Sequence, residues 1–420
     1  MRNSGFLWVI VVLLVILDIY VFQAIKFVSA SLAPKFKVPI FILYWLISLA
    51  ALAVLLSLPY INANWNKAAR MYVFAIVVAL FFSKLLASMF IAVDDIRRGG
   101  MWILQKLFSN PSIEVSQRPE GITRSAFLSW LALGVGTTLF GSLIYGFSNK
   151  YNYQVRKVRL SFKNFPNAFR KLKVVHISDI HAGSFMDKKA VEAGVERILA
   201  EQPDLILFTG DIVNDHAEEM EPFLDLFARL RAPLGVYSTL GNHDYGEYAL
   251  PAGLNAMERK AMVARNVEKL ISLHKRLGWK LLMNENVVLE KDGQTIALIG
   301  IENWSRKGNF PKYGKLSEGY RGAETADFRI LLSHDPSHWE GEVREQYKDI
   351  ELMLSGHTHG MQFGVEIPGF RWSPVQYMYK QWAGLYQQDD QKLYVNRGFG
   401  FIGYPGRVGI LPEITVLEFA

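Results

Sequence analysis

The sequence contains no cysteine. That absence excludes a disulfide framework, Cys-ligated zinc or iron–sulfur centres, and a thiol nucleophile, since each needs the sulfur. Charge is scarce too: Asp, Glu, Lys and Arg make up 20% of the 420 residues, against 50% hydrophobic. Such a chain is too apolar to be disordered or collagen-like, and too apolar to be wholly soluble. The C-terminal part also lacks a basic surplus. Residues 1–150 hold 13 Lys and Arg against 5 Asp and Glu, and the remainder holds 33 against 34. The net charge of +7 therefore flanks greasy segments instead of lining a groove, which argues against nucleic acid as a partner. No internal repeat or low-complexity run occurs.

Long apolar runs are what the first third does contain. A bilayer-spanning helix needs about 20 mostly apolar residues, and residues 6–30, 38–60, 71–93 and 126–147 meet that length. The first run holds Asp18 and the third Lys84, each costing about 2.5–3.5 kcal/mol at mid-membrane on insertion scales. The two can pair inside a four-helix bundle, or Lys84 can snorkel to the interface. A cleaved signal peptide is a poor reading of the first run, because no small-residue cleavage site precedes Lys35 and three more runs follow. Residues 99–108, with Trp102, Lys106 and Phe108, predict a short interfacial helix or a partly ordered loop. The chain then divides into a multi-pass membrane domain at 1–149, a basic linker at 150–170 and a globular domain at 171–420.

Four spans put both termini on one side. Arg2, Lys67 and Arg70 flank that side, while Lys35, Lys37, Arg97, Arg98, Lys106, Arg118 and Arg124 flank the other. Cytoplasmic loops carry the basic excess, so the globular domain is expected outside the cytoplasm, anchored in the cell (inner) membrane. Lys150, Arg156, Lys157, Arg159 and Lys163 pull the other way, but long domains translocate largely regardless of charge. Residues 123–128 also look like a worn twin-arginine signal with one arginine gone.

Beyond residue 170, apolar runs of strand length at 172–178, 205–209, 234–240, 295–301, 329–333, 351–355, 393–396 and 414–419 alternate with amphipathic stretches such as 188–200 and 218–230. Strands alternating with helices predict an α/β domain. The strand ends carry the chemistry: Asp179-Ile180-His181, Gly210-Asp211, Gly241-Asn242-His243-Asp244, His334-Asp335 and Gly356-His357-Thr358-His359-Gly360. Seven of the nine histidines lie in or beside these motifs. On an extended strand end, residues two apart point the same way, which pairs Asp179 with His181 and His357 with His359. Carboxylates, imidazoles and an amide form an oxygen/nitrogen set that suits Mn, Fe, Zn or Co better than Ca. Open α/β sheets bind ligands at the carboxyl ends of their strands.

In order, these motifs resemble the calcineurin-like metallophosphoesterase superfamily, whose pattern is D-x-H, G-D, G-N-H-[DE], H and G-H-x-H. The resemblance covers about residues 170–420. The run from Asn396-Arg397-Gly398 through Pro405-Gly406-Arg407 to Pro412-Glu413 looks like the membrane-associated YkuE/YaeI-type branch, related to UDP-2,3-diacylglucosamine pyrophosphatases of lipid A synthesis. The resemblance implies a β-sandwich flanked by helices, two divalent ions (Mn best, with Fe, Zn, Co or Mg compatible) and hydrolysis of a phosphoester or pyrophosphate by metal-activated hydroxide. It implies that Asp179, His181, Asp211 and His359 hold one ion, and that Asp211 bridges to a second held by Asn242, His334 and His357. His243 would protonate the leaving oxygen, with Asp244 orienting it. A nucleotide-linked substrate of that branch is cytoplasmic, which opposes the charge count.

His176 reads as a core histidine, and His216 and His274 as surface residues. His338 reads as either within reach of substrate or at a solvated helix start. Met361 departs from the Gly-Gly-Gln frequent after the last motif, and Asn303 stands where relatives often carry an acid. The aromatic loop 370–386, with Trp372, Tyr377, Tyr379 and Trp382, suits a lid, a lipid-facing surface or plain packing. The expected function is a membrane-anchored phosphohydrolase working on a phosphorylated, lipid-linked or membrane-proximal substrate with the bilayer as partner. A membrane sensor or scaffold with a non-catalytic metal domain is the alternative, and a transporter a weaker third.

Overall fold

A computed structural model describes residues 4–57, 66–108 and 123–419. Arg2, Arg118 and the end of the second predicted span at Tyr60 lie outside the described residues. The chain forms two compact units, Met1–Tyr145 and Gly146–Ala420.

The first unit contains α1 (Ser4–Val28), α2 (Pro34–Ser57), α3 (Lys67–Phe108) and α4 (Arg124–Gly146). All four are long and apolar enough to cross a membrane. A helix satisfies its own backbone hydrogen bonds, which a bilayer core cannot do for it. Two small clusters are buried, Val21, Ala24, Ala87, Ile91 and Ala132 in one and Leu14, Leu55 and Val77 in the other, while Ile16, Leu43, Leu46 and Met89 face outward. Gly136 lets α4 approach α3, since a Cβ there would lie 3.0 Å from the Ser83 carbonyl oxygen. Lys84 pairs with Asp18 and does not snorkel, and both are buried. Ser48 Oγ donates to Asp18 Oδ1 at 2.9 Å, and the Tyr44 hydroxyl donates to the Asp18 carbonyl at 2.8 Å. Residues 99–108 form no separate element. They continue α3, whose 42 residues reach about 63 Å at about 1.5 Å per residue. The exposed Gly99-Gly100 pair weakens a helix without breaking this one.

The second unit is a β-sandwich. Its strands are β1 (Gln154–Leu160), β2 (Lys173–Ile177), β3 (Leu205–Phe208), β4 (Val236–Ser238), β5 (Lys280–Leu281), β6 (Glu285–Lys291), β7 (Gln294–Gly300), β8 (Phe328–Leu332), β9 (Leu352–Ser355), β10 (Val365–Ile367), β11 (Phe370–Trp372), β12 (Gly384–Gln388), β13 (Gln391–Val395) and β14 (Glu413–Phe419). One sheet runs β1-β14-β2-β3-β4-β5 and the other β12-β13-β9-β8-β7-β6, with β10–β11 a separate hairpin. In the first, β2, β3, β4 and β5 are parallel, and so are β7, β8, β9 and β13 in the second.

Val174, Leu205, Leu207 and Leu417 of one sheet pack against Leu298, Ile330, Leu352 and Leu354 of the other. The residues between them point outward under helices, so β3 and β8 are buried on both faces and read as unbroken apolar runs. α5 (Lys188–Ala200) opens on Asp187, whose side chain accepts from Ala190 N at 3.1 Å, and buries Val191, Val195 and Ile198. The predicted helix at 218–230 is a 3₁₀ stretch, Ala217–Phe223, followed by the short α6 (Leu224–Phe227). Pro222 lies within the 3₁₀ stretch and cannot donate a helical hydrogen bond. α7 (Ala256–Leu277) begins with an Asn255/Glu258 capping box and ends on Gly278 at φ 71°.

Residues 150–170 are not a linker. They hold β1, which pairs in parallel with β14 from Gln154↔Glu413 to Leu160↔Phe419. Its alternating basic residues made it look solvated, yet they partner acids: Arg156 reaches Glu366 at 2.7 Å and Lys157 reaches Glu201 at 2.9 Å.

Candidate metal centre

Five parallel strands deliver the site. β2 ends before Asp179 and His181, β3 before Asp211, β4 before Asn242 and His243, β8 before His334, and β9 before His357 and His359. The first three belong to one sheet and the last two to the other. The site therefore straddles the sandwich at one end, where a parallel sheet leaves its carboxyl termini.

The pairing of Asp179 with His181 and of His357 with His359 does not come from extended backbone. Asp179, His181, Asp211, His357 and His359 all have left-handed φ, between 49° and 69°. Each such turn in a non-glycine residue costs about 1–2 kcal/mol, and strain of this kind collects where a site over-determines the backbone. The turns fold both members of each pair inward. Gly356 is required by the same crowding, because a Cβ there would lie 2.1 Å from Asp179 Oδ2.

Two groups of donor atoms converge, Asp179–His181–His359 and Asp179–Asp211–His334, each buried and each spanning no more than 4.8 Å. His359 Nε2 lies 3.1 Å from Asp179 Oδ1, and His181 Nε2 lies 3.6 Å from Asp211 Oδ2. On the other side His357 Nδ1 lies 2.7 Å from Asn242 Oδ1. All seven ligands predicted from the sequence are thus gathered at one end of the sandwich.

The donor set fits divalent cations. His181 Nε2 and His359 Nε2 lie 3.0 Å apart, near enough for both to reach one cation beside Asp179. His334 Nε2 and Asp211 Oδ2 come within 3.0 Å. Burial would raise the Asp179 carboxyl, but His359, His334 and His181 outweigh it and hold the acid well below the usual range. Burial opposes charge on His334, yet Asp211 and Asp179 pull it up to about 10. Burial lowers His181, His357 and His359, leaving neutral imidazoles of the kind metals bind.

His243 donates from Nδ1 to the carbonyl of Asn214 at 2.7 Å, since a carbonyl can only accept. Its Nε2 therefore carries a proton only as imidazolium. Asp244 does not orient that ring. Its carboxylate accepts the backbone N–H of Asp211 at 2.8 Å, of Ile212 at 2.9 Å and of Gly241 at 2.8 Å. Burial and the charge of Asp211 push it up to about 7 against those amides. It braces the loops that carry Asp211 and Asn242.

A match to the description "Calcineurin-like phosphoesterase" covers residues 172–361, and one to "Probable Calcineurin-like phosphoesterase, transmembrane domain" covers residues 1–150. The metallophosphoesterase YkuE of Bacillus subtilis, itself uncharacterized, is 30% identical over 255 residues, which is 60% of this chain and 80% of that one. The chain belongs to the calcineurin-like metallophosphoesterases. Phosphodiesterase YaeI of Escherichia coli is 26% identical over 300 residues, 71% of this chain and 99% of its own. A transmembrane protein with metallophosphoesterase domain from Danio rerio is 27% identical over 269 residues. The match spans 62% of this metallophosphoesterase and 56% of the zebrafish protein.

Sequence reasoning missed the site's outer partners. Tyr379 OH meets His357 Nε2 at 2.9 Å and donates to Asp335 Oδ2 at 3.3 Å. Asn242 Nδ2 donates to Tyr248 OH at 2.9 Å. Arg407, fully buried, donates to the carbonyls of Arg397 at 2.7 Å and Gly398 at 3.2 Å beneath His359. The aromatic content of loop 370–386 and the acid after His334 were the available signals. That loop divides: Tyr379 and Trp382 pack with Val375 and Ile410, whereas Tyr377 is 77% exposed.

His176 is a core residue, its Nε2 2.9 Å from Thr209 Oγ1, and His216 is exposed. His274 is buried, contrary to expectation, because α7 turns it inward beside Trp279. His338 is neither at the substrate nor solvated. It is buried between Ser333 Oγ at 3.0 Å and Glu342 Oε2 at 3.0 Å. Asn303 is buried too, donating to the Pro311 carbonyl at 2.7 Å. Met361 stands half exposed at φ 56° on the pocket's edge.

Proposed function

We propose that the chain hydrolyses a phosphoester or pyrophosphate bond in a lipid-linked substrate. The observation that supports this is the cavity on the site, about 220 Å³, whose lining combines two kinds of side chain. His181, Asp211, Asn242, His243 and His357 line it together with Phe310, Met361, Val375, Met378 and Ile402. Apolar side chains beside an anion-binding set suit a phosphoryl group joined to a hydrocarbon substituent.

Asp179, His181, Asp211 and His359 would hold one divalent ion, and Asp211, Asn242, His334 and His357 a second. Bound there, the pair supplies Lewis-acid activation of water and neutralises phosphoryl charge. His243 stands at the cavity with Nδ1 pinned to the Asn214 carbonyl, and as imidazolium its Nε2 would carry the proton for the departing oxygen. Tyr379 and Asn214 fix the His357 and His243 rings. A UDP-2,3-diacylglucosamine-like molecule fits the reading through its acyl part alone. Nothing in the site or in these relatives ties the chain to lipid A synthesis.

The test compares p-nitrophenyl phosphodiesters bearing a methyl or a hexadecyl group, with the full chain in detergent and Mn. A KM at least about tenfold lower for the long chain is expected, from burial worth about 0.8 kcal/mol per CH₂. Equal kcat/KM for the two would overturn the lipid reading. No turnover of bis(p-nitrophenyl) phosphate with Mn, Fe, Zn, Co or Mg would select the sensor or scaffold instead.

The charge count favours an inner-membrane anchor with the catalytic unit outside the cytoplasm. Alkaline phosphatase and green fluorescent protein, each fused after residue 420, report the face. An active phosphatase with a dark fluorescent fusion is expected, and the reverse result puts the site inside.

A further inference from the structure

Six of the twelve exposed large apolar side chains in the second unit fall between residues 361 and 378. Met361, Val365, Ile367, Phe370, Tyr377 and Met378 are between 42% and 77% exposed, and all fall within one short stretch of chain. Three of them belong to the β10–β11 hairpin, which pairs Val365↔Trp372, Glu366↔Arg371 and Ile367↔Phe370. Directly opposed residues share a face, so Val365, Ile367, Phe370 and Trp372 lie on one side and the charged pair on the other.

The orientation of that hairpin is inverted relative to a water-facing one. Its charged face is turned to the protein. Glu366 accepts from Arg156 at 2.7 Å and from Arg397 at 2.6 Å, and the Arg371 guanidinium lies 5.0 Å from the Trp382 ring. Its apolar face is turned outward. A two-stranded ribbon in water normally does the reverse, with polar residues outside and apolar ones on the core. Here two ion pairs hold a greasy face open.

The patch is continuous with the catalytic cavity. Tyr377 meets Trp372 of β11, and Ser373 Oγ donates to the Gly360 carbonyl at 2.8 Å, tying the 374–378 turn to the last metal motif. Met361 and Met378 both line the cavity and stand half exposed on the patch. A hydrocarbon chain lying against the hairpin would meet methionine all the way to the phosphoryl site. Methionine adapts to irregular apolar ligands, and tyrosine and tryptophan favour the water–lipid boundary.

We infer that the β10–β11 hairpin and the 374–378 turn form a lip that inserts into the lipid interface and passes the apolar part of a membrane-resident phosphoester to the metal site. The occupant is the bilayer itself, in which the same chain is held by four apolar helices. An inserted amphipathic surface sits about 5–10 Å into the headgroup–acyl boundary. The purpose of the lip rests on the lipid-linked reading above, whereas its insertion does not.

The absence of cysteine makes insertion directly measurable. Phe370→Cys and Tyr377→Cys, each labelled with a nitrobenzoxadiazole fluorophore in the full chain, are reconstituted in phosphatidylcholine–phosphatidylglycerol vesicles with and without doxyl-labelled lipid. Met257→Cys, at a site 82% exposed on α7, is the water-facing control. Blue-shifted emission and loss of most of the intensity to doxyl lipid are expected at 370 and 377 but not at 257. Water-like, unquenched emission at both lip positions overturns the inference. So does quenching that follows an added quencher-labelled second copy of the chain and ignores the lipid. Because the probe reports depth and not turnover, it stays informative even if the alkyl-chain preference fails.

Discussion

Asp211→Asn is expected to fold normally and to lose turnover of bis(p-nitrophenyl) phosphate by at least about 10³-fold, the equivalent of several kcal/mol of lost charge stabilisation. In the proposed assignment Asp211 would be the carboxylate shared by two ions, whereas Asp179 is the residue common to the two convergent donor groups. Asp211 Oδ2 lies 3.0 Å from His334 Nε2 and 3.6 Å from His181 Nε2, while Oδ1 accepts the His243 backbone N–H at 2.8 Å. An amide at that position keeps the volume and one acceptor but loses the charge that would hold two cations close. Bound metal should fall together with activity, read by elemental analysis of the purified chain. Wild-type turnover at saturating Mn would show that Asp211 does not bridge.

His243→Ala is expected to leave both metals bound while separating substrates by leaving group. The ring touches no other predicted ligand through its pinned Nδ1, which donates to Asn214, and it lies at the wall of the cavity. An alkyl phosphoester, whose departing oxygen needs a proton, should slow by about 10²–10⁴-fold, within the usual range for general acids. A p-nitrophenyl ester, whose anion leaves unaided, should slow far less. Equal losses on both would show that the ring positions substrate and transfers no proton. Asp244→Asn gives a useful contrast. Because Asp244 braces the amides of 211, 212 and 241, that change should lower activity on both substrates alike.

The metal motifs were legible because strand ends concentrate rare residue types. Histidine or aspartate after a buried apolar run has few structural uses, and five such endings in one chain point to one place. The eight predicted strands correspond to β2, β3, β4, β7, β8, β9, β13 and β14, the buried ones, where both faces demand apolar residues. The edge and hairpin strands β1, β5, β6, β10, β11 and β12 were not legible. Their faces are half wet, and in β1 the residues Arg156, Lys157 and Arg159 gave the sequence the texture of a linker. The backbone turns at Asp179, His181, His357 and His359 were hidden for another reason: no side-chain pattern announces left-handed φ in aspartate or histidine. Partners such as Tyr379, Asn214 and Arg407 are distant in sequence from what they hold, and only tertiary structure brings them near.

The order β1-β14-β2 has a consequence for the timing of folding. The strand between the first two in sequence is made from residues 413–419, so β1 and β2 share no edge until those residues have left the ribosome. Every ladder bond of β1 is formed with β14, from Gln154↔Glu413 onward, and Glu413 also pairs with Arg397 and takes a hydrogen bond from Tyr394 of β13. During synthesis the unit therefore waits as an open half-sheet with two unpaired edges, the state most exposed to wrong pairing. A nascent chain stalled short of residue 413 would hold every metal ligand and still lack the strand that joins β1 to β2.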